Sequence, residues 1–321
     1  MIISASRRTD IPAFYTKWFM NRIVAGYCTV PNPFNHKQVS HISLLPDDAE
    51  VIVFWTRNAA PLTPYLSELD KQGYHYYFQY TLLDYPRKLE PATPLVKTNI
   101  KTFKTLADLI GPEKVIWRYD PIIFSNQTGM NFHLRKFSQV AKELRGFTNR
   151  VVISFMDPYQ KATSRIKKME KAGFKIINDI NPEKLRFQNM ITELCSIAKN
   201  NRMEITSCAE EINMVDLGII KGKCIDDDLI EKLFDIKVPK KKDPYQRKAC
   251  SCVASKDIGM YDTCLYGCQY CYATQSFEGA RINFEIHDPT SPSLIGHYDS
   301  GKNQGQNNPN YLFEEEINAI T

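Results

Sequence analysis

The feature that most constrains the fold is a regular alternation of short apolar runs and longer helical patterns, which extends to about residue 206. The predicted strands cover residues 2–5, 51–55, 76–82, 115–117, 151–155 and 203–206, and helical patterns at 10–24, 62–72, 95–110, 132–144, 161–172 and 181–200 separate them. This order favours parallel strands joined by right-handed crossovers. We therefore predict an α/β fold, a TIM-like (β/α) barrel, partial or complete, with about six or seven units.

The alternation has one interruption and a definite end. Residues 39–44 form an apolar, β-rich run that we interpret as an inserted strand. The pattern changes at about residue 222, and a basic, proline-containing link at 237–244 leads into a cysteine- and tyrosine-rich segment. The predicted domains are therefore a barrel at 1–221 and a C-terminal metal-binding segment with its tail at 222–321, in which residues 300–309 are strongly polar.

Polar side chains follow almost every predicted strand. In a βα barrel these positions converge on one mouth, where active sites are built. We expect Arg7, Arg57 and Arg118, together with Arg8, to bind a carboxylate or phosphate. Glu210, Asp120 and Asp157 are candidates for proton transfer or for holding a ribose or an amine. The predicted cofactor-binding residues are Asp10, Asn58, Gln79 and Asp157. Taken singly, these residues have structural alternatives, since Asp10 can cap the first helix and Arg118 can pair with Asp120.

The most informative chemical motif is Cys264-Leu-Tyr-Gly-Cys268-Gln-Tyr-Cys271. Its C-x3-C-x2-C spacing can wrap one [4Fe–4S] cluster and leave the fourth iron without a protein ligand. Such an iron can hold a substrate or S-adenosylmethionine, whereas a cluster with four cysteines mainly carries electrons. A zinc knuckle or a set of reduced thiols is the alternative, although zinc sites more often show paired C-x2-C units.

Six further cysteines remain outside this loop. Four of them suit a second, closed site that holds either a [4Fe–4S] cluster or zinc, namely Cys208, Cys224, Cys250 and Cys252. Such a site would fasten the C-terminal segment to the rim of the barrel. Cys195 lies on the apolar face of a helical pattern and is predicted to be a core residue, and Cys28 is left as a buried or free thiol.

Composition narrows the compartment and the partners. No apolar run approaches the length of a membrane span, and the N-terminal order of a short apolar run before two arginines is the reverse of a signal peptide. Nine cysteines without a secretion signal indicate metal binding in a reducing compartment, so we expect a cytoplasmic protein without membrane contact. The net charge of +5 permits an anionic substrate but does not require one.

Two resemblances follow from these motifs. The first is carried by residues 4–10 (Ser-Ala-Ser-Arg-Arg-Thr-Asp), 55–58 (Trp-Thr-Arg-Asn), 117–121 (Trp-Arg-Tyr-Asp-Pro), 208–210, 222–224, 246–252, 255–259 and 264–273. Over nearly its full length the chain resembles the bacterial family known as domain of unknown function 1848. The loop at 264–273 also resembles the cluster loop of radical S-adenosylmethionine enzymes, in the form of the spore photoproduct lyase branch.

The second resemblance implies an activity. A cluster on the loop would bind S-adenosylmethionine, and an electron donor such as a flavodoxin or ferredoxin would reduce it, to generate a radical that attacks an unknown small-molecule substrate. Most such enzymes carry the loop after their first strand and a Gly-Gly-Glu after the second, whereas this chain carries its loop last and lacks that tripeptide. The pyrimidine synthase of thiamine biosynthesis is similar in layout, with its cluster cysteines in a C-terminal tail.

Two other functions remain open at this point. The open iron could act as a Lewis acid or bind the substrate without radical chemistry. Alternatively, the metals could be structural in a nucleic-acid-binding protein, for which the lysines at 237–242 and the numerous tyrosines are the support.

Overall fold

The computed structural model describes residues 1–157, 159–177 and 181–298. Its strands are β1 (Ile2–Ala5), β2 (Tyr27–Asn32), β3 (Asn35–Ser43), β4 (Val51–Thr56), β5 (Tyr76–Thr81), β6 (Val115–Ile122), β7 (Arg150–Phe155), β8 (Glu204–Cys208), β9 (Ile220–Gly222) and β10 (Lys256–Asp257). Its helices are α1 (Ile11–Phe14), α2 (Thr16–Ala25), α3 (Leu66–Lys71), α4 (Val96–Ile110), α5 (Met130–Leu144), α6 (Gln160–Lys171), α7 (Leu185–Asn200), α8 (Asp227–Phe234) and α9 (Phe277–Glu285).

Eight of the strands form one parallel sheet in the order β10-β1-β4-β5-β6-β7-β8-β9, and helices flank it. The predicted mixed α/β class with parallel strands is therefore confirmed. The six strands predicted from the alternation all lie in this sheet, in the order in which they occur along the chain. Closure of the sheet into a barrel stays a prediction.

The two faces of the sheet bury different cores. Along each strand, alternate residues face the helices, as Ile52, Phe54 and Trp117 do in the larger core. The residues between them, such as Val53 and Ile116, pack against the segment from 224 to 253 in a second core. Because side chains alternate between the faces of a strand, the polar residues that continue this second set must also face the 224–253 segment.

Three local features differ from the predicted elements. The single helix predicted at 10–24 is two helices that meet at Tyr15, whose backbone leaves the helical region with φ −132°. The predicted inserted strand at 39–44 is real, but it begins at Asn35 and pairs with β2 in an antiparallel hairpin. The partner strand was missed because Pro31 lies within it, and proline lacks the N–H that a strand uses for pairing.

The C-terminal segment is more regular than its sequence suggested. It contributes α8 and α9, and β10 extends the sheet through the pairs Ile3–Lys256 and Ser4–Asp257. The division at 221/222 stays a prediction. The polar run at 300–309 lies outside the described residues. Among the helices of the described residues, none combines the length and apolar character needed to cross a membrane.

Candidate metal centre

The carboxyl ends of the strands bring polar side chains towards the 224–253 segment. Gln79 at the end of β5 donates from Nε2 to the carbonyl oxygen of Cys224 at 2.8 Å and accepts at Oε1 from Arg118 at 3.3 Å. Arg118, in β6, donates from Nη1 to Cys224 Sγ at 2.6 Å. Two residues predicted from their positions at strand ends therefore meet at one cysteine.

The four cysteines of the predicted second site lie in a chain of contacts. The Cys224 thiol donates to Cys208 Sγ at 3.0 Å, and the backbone N–H groups of Cys224 and Ile225 lie 3.3 and 3.4 Å from Cys252 Sγ. Side-chain contacts with Cys224 and Cys250 lower the pKa of Cys252. The structure thus brings together all four cysteines that the sequence assigned to one site.

The spacing of these sulfur atoms is uneven, since the Cys224 and Cys208 sulfurs lie only 3.0 Å apart. Within the described residues, no three cysteine sulfurs all lie within 4.8 Å of one another. Four thiolates on one zinc ion at 2.3 Å would be about 3.8 Å apart. A cluster, which binds each thiolate through a different iron, needs a wider set of ligands.

Two arginines and a tryptophan surround this site. The guanidinium groups of Arg7 and Arg118 lie 5.3 and 4.9 Å from the Trp55 ring centroid. Burial opposes their charge, but the neighbouring Cys252 and Asp257 hold the pKa of Arg7 above its ordinary value, and Cys224 does the same for the pKa of Arg118. Arg7 Nη2 and Trp55 Nε1 are buried donors without an acceptor in the described part of the chain. Positive charge and spare donors suit an anionic centre built from thiolates and sulfide.

The predicted acids take different positions around the site. Asp120 binds Arg118 Nη2 through one carboxylate oxygen and Ser154 Oγ through the other, which is the pairing raised as an alternative from the sequence. Glu210 accepts from the backbone N–H of Phe155 at 2.8 Å, and burial raises its pKa to about 7. Asp120 therefore orients Arg118, whereas Glu210 keeps one oxygen, Oε2, without a hydrogen bond among the described residues.

The three loop cysteines form a separate group. Cys268 is buried, and Cys264 and Cys271 are partly buried. Burial, together with the nearby Cys271 and Cys268 sulfurs, raises the pKa of Cys264. Burial raises the pKa of Cys268 to about 12, against an opposing effect of the Arg57 charge. The predicted loop thus gathers its thiols in one buried place.

Arg165, on α6, fixes the backbone of this loop. Its guanidinium donates to the carbonyl oxygens of Gln269 at 3.0 Å, Cys271 at 2.6 Å, Thr274 at 2.8 Å and Gln275 at 3.1 Å. Four acceptors on one planar fork define the loop's path more tightly than a flexible ammonium could.

A buried ion pair ties the loop to the sheet. Arg57, which follows β4, lies 2.9 Å from Glu90 Oε1 and donates to Tyr270 Oη at 2.7 Å, and Tyr270 in turn donates to Glu90. The Glu90 side chain is 2% exposed and that of Arg57 is 13% exposed. The charge of Arg57 is therefore neutralised inside the protein, and its contacts position the cysteine loop.

The predicted cofactor-binding residues lie at several points along this edge. Asp10 caps α1 through Ala13 and also accepts from Thr56 and the Arg57 N–H, so its predicted capping role is confirmed. Its burial raises the pKa of Asp10 to about 7.

Asn58, Asp157 and Gln79 differ in how many of their side-chain polar atoms have a partner in the protein. The Asn58 carbonyl accepts from Ala60 at 3.1 Å, and Asp157 pairs with Arg247 while 44% exposed. Gln79 is fully engaged at Cys224 and Arg118. Arg8 donates to the Gly259 carbonyl oxygen at 3.3 Å.

Two tyrosines lie between the two cysteine groups. Tyr272 donates to the Arg7 carbonyl oxygen at 2.7 Å, and its ring is 5.2 Å from that of Tyr159. Burial raises the pKa of Tyr159, and Cys208 of one site and Cys271 of the other both add to the effect. The two groups therefore share one edge of the sheet.

Sequence reasoning missed Glu90, Arg165 and Tyr270. Glu90 and Arg165 occur in a loop and in a basic amphipathic helix, where charged residues are usually solvated. The one available signal was Tyr270 within the motif itself, since a tyrosine beside a cysteine ligand needs a partner for its hydroxyl when it is buried. Of the two remaining cysteines, Cys28 is buried, and Cys195 packs against the core and donates to the Leu217 carbonyl oxygen at 3.2 Å.

Comparison with known proteins gives a family and no curated relative. A family model described as Domain of unknown function (DUF1848) matches residues 2–273, which include both cysteine groups. The chain therefore belongs to this family, as the sequence resemblance predicted. No curated protein matches the chain.

Proposed function

We propose that this DUF1848 protein is an iron–sulfur enzyme of the radical S-adenosylmethionine type, with one [4Fe–4S] cluster on Cys264, Cys268 and Cys271. The observation that carries the proposal is the gathering of three thiols, one buried and two partly buried, in one loop beside the carboxyl ends of β1 and β4. The other cysteines belong to a second group or to the packed core. Three thiolates leave one iron of a cubane open to S-adenosylmethionine.

When bound, such a cluster would supply the electron for reductive cleavage of S-adenosylmethionine. The chain's own residues prepare the place where this happens. Arg165 holds the loop backbone, and the Arg57–Glu90 pair fixes Tyr270 beside the cysteines. Burial of the loop excludes water, which protects a radical from side reactions.

The polar groups around the loop would hold the cofactor and the substrate. Glu210, with its free Oε2, and Asn58 both lie at carboxyl ends of strands, where parallel sheets place their ligands. We assign Glu210 to a polar group of the substrate or of S-adenosylmethionine. The substrate in this proposal is a small molecule.

A second iron–sulfur cluster on Cys208, Cys224, Cys250 and Cys252 completes the proposal. The positive charges of Arg7 and Arg118 beside these cysteines support an anionic cluster over a single zinc ion. Assembly of this chain already requires delivery of one cluster. Nine unpaired cysteines also fit a reducing compartment such as the cytoplasm.

The proposal includes a barrel-like closure of the sheet. The backbone N–H of Val253, which precedes β10, donates to the carbonyl oxygen of Ile225, which follows β9, at 3.1 Å. β9 and β10 are the two edges of the sheet, so this contact brings the edges towards each other. A curved sheet of this kind would place both cysteine groups at its mouth.

The test is anaerobic reconstitution with counts of iron and sulfide, followed by dithionite and S-adenosylmethionine. We expect about eight irons per chain, an electron paramagnetic resonance signal that changes when S-adenosylmethionine is added, and 5′-deoxyadenosine as product. Cys264→Ser should abolish the last two effects. Cys250→Ser is the matched control, and it should retain the spectral response to S-adenosylmethionine.

Three results would change the conclusion. About four irons with zinc would reassign the second site and leave the mechanism intact. A full complement of iron with neither the spectral change nor 5′-deoxyadenosine would favour a Lewis-acid role for the open iron. Zinc in both sites and no iron would refute the proposed function.

A further inference from the structure

A short basic segment carries the same net charge as the whole chain. Residues 237–248 contain six lysines or arginines and one aspartate, a net charge of +5, and the chain as a whole also carries +5. We call its six exposed basic residues the basic patch, and they are Lys237, Lys240, Lys241, Lys242, Arg247 and Lys248. The rest of the chain is therefore neutral overall, and the patch is the main source of the positive net charge.

The basic patch is fixed against the second cysteine group. Lys242 pairs with Val253 in an antiparallel bridge, and the Lys241 carbonyl oxygen accepts from Ala254 at 2.9 Å. The Asp243 N–H donates to the Cys252 carbonyl oxygen at 2.9 Å. A surface cavity of about 310 Å³ is lined by Cys250 and by lysines of the patch. The patch thus lies beside Cys250 of the second group.

Much of this positive charge is not neutralised by the protein itself. Lys241 and Lys248 make no ion pair within the described residues, and Lys237 approaches Glu231 only at 3.9 Å while 85% exposed. Lys240 shares Asp227 and Asp228 with Lys223 at the cavity wall. A field of one sign at the surface accelerates encounter with an oppositely charged partner.

We propose that the basic patch docks an acidic one-electron carrier protein, which delivers its electron to the Cys208/Cys224/Cys250/Cys252 site. This inference rests on the proposed function, because it requires iron in that site. In the transfer, the carrier loses one electron and the second site gains one, and the electron then passes to the loop site. The rings of Tyr159 and Tyr272, the latter next to Cys271 in the chain, lie 5.2 Å apart and are aromatic groups near both sites.

A protein partner fits this surface better than a nucleic acid. Proteins that bind single strands combine basic charge with several aromatic side chains on which successive bases stack. In the basic segment the exposed aromatic residue is Tyr245, which is 92% exposed and stands alone. Redox partners make small, electrostatically guided contacts, which a patch of this size can provide.

The experiment uses the reconstituted full chain and a purified acidic flavodoxin, photoreduced, as the probe. The variant is Lys237→Glu, Lys241→Glu and Lys248→Glu combined, which avoids the hydrogen-bonded Lys242. The matched control reverses Lys97, Lys101 and Lys199, three exposed lysines on helices that pack against the opposite face of the sheet. Bleaching of the visible absorbance gives the reduction rate, calorimetry gives flavodoxin binding, and thermal unfolding verifies that each variant is folded.

We expect the patch variant to be reduced at least about 10-fold more slowly than the wild type or the control at low salt. The wild-type rate should fall as salt shortens the Debye length from about 30 Å at 0.01 M to about 8 Å at 0.15 M. Dithionite, which needs no docking, should reduce all three proteins equally fast.

Equal rates for variant and control, or a wild-type rate insensitive to salt, would overturn the docking proposal while leaving the proposed function intact. Binding of a single-stranded DNA probe that is lost in the patch variant, without binding of flavodoxin, would replace the protein partner with a nucleic acid. Absence of iron would refute the proposed function itself. Calorimetry would still show in that case whether flavodoxin binds through the patch.

Discussion

Replacing Glu90 with glutamine tests the idea that a buried ion pair positions the cysteine loop. Glu90→Gln keeps the shape of the side chain but removes the charge that faces Arg57 at 2.9 Å. The Arg57 guanidinium, with its side chain only 13% exposed, is then left without a counter-charge. Breaking a buried pair in this way typically costs about 3–5 kcal/mol.

The expected loss of stability in Glu90→Gln is large because Glu90 is buried and Arg57 is largely buried. An exposed pair gives the contrast, because Lys104 and Glu143 lie 2.7 Å apart with side chains 30% and 55% exposed. Such a pair contributes about 0–1 kcal/mol, so Glu143→Gln is the matched control. At roughly 2 °C per kcal/mol for a chain of this size, Glu90→Gln should lower the unfolding midpoint by about 6–10 °C.

The assay is thermal unfolding of the metal-free chain, together with iron content after reconstitution. Because Tyr270 loses its charged acceptor, Glu90→Gln should also release loop iron to a chelator faster than the wild type does. The double variant Arg57→Met with Glu90→Leu should recover part of the lost stability, since it removes both charges. A midpoint for Glu90→Gln within about 2 °C of the Glu143→Gln value would refute the reasoning.

Two further predictions concern residues with defined partners. Arg165→Met and Arg165→Lys should both increase the rate at which a chelator removes loop iron. The reason is that neither side chain can reach the four carbonyl oxygens that the guanidinium binds. A normal rate in Arg165→Lys would show that charge alone suffices. Burial lowers the pKa of His133 from 6.5 to about 4. As the pH falls, the unfolded chain therefore takes up a proton before the folded protein does. Between pH 7 and pH 5 the wild type should lose about 2 kcal/mol more stability than His133→Gln. Chemical unfolding at the two pH values measures this difference, and parallel losses in both proteins would contradict it.

The surroundings of His133 explain why the folded protein loses stability as the pH falls. The ring is buried, with Nε2 3.0 Å from the Ile123 carbonyl oxygen and Nδ1 3.0 Å from the Tyr119 hydroxyl. The carbonyl oxygen can only accept, so Nε2 carries the proton and Nδ1 accepts from Tyr119. The neutral ring is therefore already satisfied, and no described residue supplies an anion that would compensate protonation in the folded state.

The order of the sheet could be predicted from the sequence because it depends on local patterns. Runs such as 51–55 and 151–155 are apolar enough to be buried on both sides, and a helix of sufficient length follows each strand. The short edge strands β9 and β10 could not be predicted, since two or three residues carry no periodicity and form only because a neighbour strand is present.

The two cysteine groups also differ in this way, because one depends on local sequence and the other on tertiary structure. The spacing of Cys264, Cys268 and Cys271 is a local property, and it predicted a single loop site. The grouping of Cys208 with Cys250 and Cys252 joins residues more than 40 positions apart, and the sequence supported it mainly through elimination. Their contact arises because the segment that follows β9 packs against the face of the sheet that carries Val53 and Ile116.

The sequence by itself therefore determined the mixed α/β class with parallel strands and the family, and it predicted which cysteines bind metal. Only the tertiary structure decided what the strand-end arginines do. Arg57, Arg118 and Arg7 were predicted as anion-binding groups, and the structure places them beside Glu90, Cys224 and Cys252, respectively. A charge is costly to bury without a partner, so its function depends on which partner the fold supplies, and that partner comes from a distant part of the chain.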